Sequence, residues 1–131
     1  MTPFGPQLIG ETEKSLNAIL RGILADSGLT ETHWVTLRIA ATHDGDRPLV
    51  DAVAGRAYFA DAAAIVGDLR ARGLLEGDRV SGAGAELLAR LGAQIKNATT
   101  PIWADLPEKD VVAATRVLNL VGDRAREVLS R

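Results

Sequence analysis

The chain has no cysteine. That excludes a disulfide framework, a zinc–thiolate centre and a thiol nucleophile, and it agrees with a reducing compartment. No stretch approaches the roughly 20 apolar residues a membrane span needs. The opening segment Met1-Thr2-Pro3-Phe4-Gly5-Pro6 has neither a basic nor an apolar region of signal-peptide type, so a soluble, cytoplasmic protein is expected. An excess of positive charge is missing too: the net charge is −2 and the pI is about 5.6. A nucleic-acid binder normally shows a basic patch, so this balance weakens that class without excluding it.

Catalytic signatures are also lacking. An enzyme would show a nucleophile with its base, paired carboxylates or a phosphate loop. Gly82-Ala83-Gly84 is too short for the last, and Ser81 has no evident partner. His33 and His43 lie ten apart on one expected helix, which does not bring both to one face. No enzyme activity, metal site or cofactor is expected.

What is present fills one ordinary domain, residues 1–131. Residues 1–7 read as a mobile arm. Leu16, Ile19, Leu20, Ile23 and Leu24 then form one apolar face of a helix over residues 8–27, which Gly28 stops. Thr30 is a good N-cap for a helix over 31–43, with Trp34, Leu37 and Ala41 inward. Asp44-Gly45-Asp46-Arg47-Pro48 is a turn, followed by a short helix over 48–54 with Leu49, Val50 and Val53 inward. Gly55-Arg56-Ala57-Tyr58 reads as a tight connector. A helix over 60–72 follows, burying Ile65, Val66 and Leu69 and ending at Gly73.

Leu74-Leu75-Glu76 and Arg79-Val80-Ser81 flank a Gly77-Asp78 turn and predict a small β hairpin. A fifth helix starts near Ala83 with Leu87, Leu88, Leu91 and Ile95 on its apolar side, and Pro101 is expected to bend or break it. The last helix, 107–130, carries two apolar lines. One runs through Val111, Leu118, Ala125 and Leu129, the other through Ala114, Val117, Val121 and Val128. Two lines imply burial on two sides, more than one small lobe offers.

Helix, helix, short helix, turn, helix, hairpin, long helix, long helix is the order of a mainly α winged helix-turn-helix protein. Four segments resemble the MarR family of transcriptional regulators: Gly28-Leu29-Thr30 through Trp34 to Leu37, Asp68-Leu69 through Gly73-Leu74-Leu75, Val80-Ser81 through Gly84 to Leu88, and Leu106-Pro107-Glu108. The resemblance implies an obligate homodimer whose terminal helices, 8–27 and 83–131, pair around a DNA-binding lobe at 30–82. Its dimer interface would include Leu16, Ile19, Leu20, Ile23, Val111, Leu118, Val121, Ala125 and Leu129. The implied function is DNA-binding transcription regulation, tuned by a small apolar or aromatic ligand.

Arg56, Tyr58, Arg70, Arg72 and Arg79 are the DNA-contact candidates. Each arginine can also be read as ordinary surface, and Tyr58 as packing beneath the turn. Trp103, Trp34 and His33 are the ligand-pocket candidates. The alternatives are core packing for Trp34, a dimer anchor for Trp103 and a capping role for His33.

The recognition helix departs from the family pattern. Its exposed positions are Ala60, Asp61, Ala63, Ala64, Gly67 and Asp68, none able to grip guanine or adenine with two hydrogen bonds. Asp61 is expected to cap its own helix instead. Between Arg56 and Arg79 the arginines are balanced by Asp61, Asp68, Glu76 and Asp78. A second reading follows: a winged helix that no longer reads DNA and serves as a protein-interaction or ligand-binding module.

Overall fold

The structure is a computed structural model that describes residues 1–57 and 60–131. Tyr58 therefore lies outside the described residues. The chain divides into two compact units, Met1–Ala98 and Thr99–Arg131.

Helix α1 runs over Pro6–Leu24, with proline in its first turn, where a missing N–H costs nothing. The expected arm is therefore shorter, because Pro6 and Gln7 already belong to the helix. A single 3-10 turn at Ala25–Ser27 follows, and Gly28 closes it at φ +76°. Helix α2, Glu31–Ala41, opens with a reciprocal cap: the Thr30 hydroxyl accepts the His33 N–H, while the His33 ring accepts the Thr30 N–H.

Helix α3 spans Leu49–Ala57. Gly55, Arg56 and Ala57, expected as a connector, form its last turn. A glycine's cost of about 1 kcal/mol inside a helix is outweighed by burial of Leu49, Ala52 and Val53 on the same element. Helix α4, Ala62–Ala71, ends in a Schellman motif, with Gly73 at φ +75° donating to the Arg70 carbonyl and Leu74 to the Leu69 carbonyl. Strands β1, Leu75–Glu76, and β2, Arg79–Val80, pair antiparallel in the register Leu75 to Val80 and Glu76 to Arg79. Gly77, at φ +60°, leads the two-residue loop.

Ser81 joins the hairpin to helix α5, Gly82–Trp103. Its hydroxyl donates to the Gly73 carbonyl at 2.6 Å and accepts the Gly84 N–H at 3.0 Å. Glycine is required at 84, where a Cβ would stand 2.2 Å from the Leu74 carbonyl oxygen. Pro101 does not break α5. It lies within the helix's last turn, and the helix ends two residues later at Trp103.

The core lies in the first unit, where α2, α3 and α4 pack together and α4 and α2 also meet the hairpin. Leu37, Leu49, Val53, Val66 and Leu69 are fully buried there, joined by Leu24 and Trp34. Ala41, expected inward, is exposed.

In the second unit, helix α6 covers Glu108–Leu129, with Glu108 and Asp110 at its positive end and Arg126 in its last turn. None of its residues is buried.

Candidate nucleic-acid interface

A helix-turn-helix presents its second helix to DNA, with a hairpin beside it. Here that pair is α3 and α4, followed by β1 and β2. The faces of α4 that do not enter the core expose Ala63, Ala64 and Gly67, and Ala60 and Asp61 are exposed just before it. Asp61 occupies the N-cap position, but its side chain makes no cap bond. Its backbone, at φ −112° and ψ 31°, lacks the extended shape that aims a capping carboxylate at the first turn.

Asp68 is engaged rather than bare. Its Oδ2 accepts from His33 Nε2 at 2.7 Å and from Arg72 Nε at 3.0 Å. Because the Thr30 N–H donates to His33 Nδ1, the neutral ring carries its proton on Nε2 and donates it to Asp68. Arg72 continues the chain of bonds by donating to the Gly28 carbonyl at 2.8 Å. Helix α4 is thereby tied to the start of α2 and to the turn before it.

Arg70 is similarly occupied. Its Nε donates to the Gly77 carbonyl at 2.8 Å, and its guanidinium pairs with Asp78 at 2.6 Å. The other oxygen of Asp78 accepts the Leu49 N–H at 3.1 Å. That backbone N–H, followed by the Arg70 side chain, holds the Asp78 carboxyl below its usual value. Among the described residues Arg56 and Arg79 make no ion pair, and both are exposed. Of the sequence candidates, then, Arg70 and Arg72 are paired with carboxylates, while among the described residues Arg56 and Arg79 are not.

A cleft of about 610 Å³ opens where α2, the end of α3 and α5 meet. Trp34 lines it with Val35, Ile39 and Leu88, and Arg38 and Arg56 stand at it. His33 does not line this cleft, since it is turned toward Asp68. Trp103 belongs to the second unit and is 54% exposed. Sequence reading passed over Arg38, although it lies one helical turn beyond Trp34, a spacing that brings two side chains to the same face. Asp78 was also missed, because its partners lie on other elements.

The expected interface residues fall into two groups. Leu16, Ile19, Leu20 and Ile23 on α1 are half-buried. On α6, Val111, Leu118, Val121, Ala125 and Leu129 are exposed.

The order and packing of these elements define a winged helix-turn-helix. No family model matches this chain, and no curated protein does. Its fold is that of a solved structure described as a MarR family protein from Bacillus stearothermophilus, at a TM-score of 0.63 over 94% of this chain and 99% of that one. Identity between the two is 16%, so the likeness is one of fold. No helix among the described residues is long and apolar enough to cross a membrane.

Proposed function

We propose that the chain is a non-enzymatic, homodimeric DNA-binding transcription regulator whose affinity for DNA is set by a small ligand with an apolar body. The observation that carries this reading is the winged lobe itself: α4 braced by the hairpin, with Arg56 and Arg79 exposed and unpaired among the described residues. The second copy of the chain is supported by α6, where Leu118, Val121 and Leu129 expose 46%, 39% and 67% of their surface. A helix with apolar residues on two sides and none buried lacks the cover that stabilises such a face. Closed pairing of two identical faces supplies it.

The ligand would occupy the cleft beside Trp34, which has the volume and apolar lining of small-molecule sites. It would act by preferring one separation of the two lobes, and it could shift DNA affinity only by that preference. With Arg56 and Arg79 as the DNA-contact candidates that make no ion pair among the described residues, binding would lose affinity gently as salt rises.

The test is a titration of the protein against its own upstream duplex and an unrelated duplex, at low and moderate salt. A preference of at least about a thousandfold for the upstream site supports the reading. Equal affinity for both sequences contradicts it. A second reading rests on the exposed Ala63, Ala64 and Gly67 of α4. That face carries no group that grips a base edge, as a winged helix given over to protein or ligand binding would. Equal, weak DNA affinity together with a partner bound through residues 60–68 would favour it.

A further inference from the structure

His33 joins two elements through one ring. Its Nδ1 accepts the Thr30 N–H at 3.1 Å and so belongs to the cap of α2. Its Nε2 donates to Asp68 Oδ2 on α4 at 2.7 Å. The imidazole is only 12% exposed, whereas the Asp68 carboxylate, at 44%, still meets solvent. Arg72 Nε shares the same carboxylate oxygen at 3.0 Å, and Asp68 Oδ1 makes no bond among the described residues. Two other carboxylates lie at this end of α2. Glu31 stands 3.9 Å from Arg21 of α1, and Asp26, in the turn before α2, is exposed.

With the ring neutral, Asp68 and Arg72 carry one charge of each sign and cancel. A proton on Nδ1 leaves the three groups with an excess of one positive charge. The Thr30 N–H then loses its acceptor, but the Thr30 hydroxyl, 2.8 Å from Nδ1, takes the new N–H, so the ring stays in place. Histidine is the side chain whose ordinary change of charge falls between pH 5 and 8. We propose that His33 is a positioning residue that makes DNA binding sensitive to pH. Its protonation holds Asp68 by a full ion pair and turns this corner of α4 positive, so phosphates are held more tightly in mild acid. This deepens the DNA-binding reading above and rests on it. By linkage, DNA that prefers the protonated form draws protons onto the protein as it binds.

Calorimetric titration with the upstream duplex and an unrelated duplex, at one salt concentration and at pH 8 and pH 6, reads this directly. Buffers of different ionisation heat report the protons exchanged. The parent should bind the upstream duplex at least about threefold more tightly at pH 6, with net proton uptake. His33→Gln keeps a side-chain oxygen for the Thr30 N–H, as in a Thr-x-x-Gln capping box, but cannot take a proton. It should fold and lose both the gain and the uptake. His43→Gln, which changes the chain's other histidine, should keep both. Asp68→Asn removes the charge that the protonated ring would pair with, and should shrink the gain.

Equal pH dependence in the parent and in His33→Gln overturns the assignment to this ring. If His33→Gln does not fold, Asp68→Asn decides, and an undiminished gain in that variant overturns the link. Unchanged or weaker binding by the parent at pH 6, with its preference for the upstream duplex intact, overturns the inference and leaves the DNA reading standing. Equal affinity for both duplexes at either pH overturns the two together.

Discussion

Asp78 reaches from the turn of the hairpin to accept the backbone N–H of Leu49, the first residue of α3, at 3.1 Å. Its other oxygen meets Arg70 near the end of α4. One carboxylate therefore caps one helix of the lobe, pairs with the other and fixes the wing against both. Its carboxyl is held below the ordinary value of 3.8, first by the Leu49 N–H and then by Arg70. A group lowered in the folded state adds stability above its unfolded value and loses it as pH falls through the folded one. Asp78→Asn should melt below the parent at pH 7, and the gap should close as the pH is taken under 3.8. Thermal melts across pH check this. A gap that persists unchanged in acid contradicts the clasp.

Gly84 is a steric requirement, because an added Cβ would lie 2.2 Å from backbone that has little room to move. Gly84→Ala should cost about 1–3 kcal/mol or more in urea unfolding. Gly67, mid-helix in α4 with open space around it, provides the contrast. Gly67→Ala should stabilise by about 0.5–1 kcal/mol. Equal effects of the two would mean that α5 does not press on the Leu74 carbonyl.

Asp68 places a negative charge on the face proposed to meet DNA and neutralises Arg72. Asp68→Ala should tighten DNA binding and steepen its salt dependence by about one phosphate contact. Arg79→Glu should do the reverse and leave the oligomeric state unchanged. Binding isotherms at several salt concentrations read both. If neither variant changes DNA affinity, α4 and the wing lie outside the interface.

Leu118 lies mid-way along α6 and is 46% exposed. If a second copy covers it, Leu118→Asp places an unpaired charge in apolar surroundings at about 3 kcal/mol or more. Dimer affinity should fall by more than about a hundredfold, seen as a monomer in sedimentation. A dimer as tight as the parent's would remove α6 from the proposed interface.

Much of the fold was legible because its signals are local. The apolar spacing of Leu37, Leu49, Val53, Val66 and Leu69, the Thr30 cap and the glycines at 28, 73 and 77 each act within a few residues. The misreadings arose where local preference met tertiary packing. Gly55 and Pro101 look like breakers, yet the first is held in a helix by buried neighbours and the second falls where α5 is about to end. The site was harder to read. Arg70 and Arg72 are alike in sequence to free surface arginines, and only the fold brings Asp78 and Asp68 against them. Arg56 was singled out for DNA, whereas its place beside Trp34 depends on how α3 lies against α2 and α5.

Hydroxyl-radical footprinting of the protein on its own upstream DNA tests the central claim most directly. A dimer carrying two winged lobes predicts two protected patches, related by symmetry and about one helical turn, or roughly 34 Å, apart. A single patch, or uniform protection along the whole fragment, would contradict it.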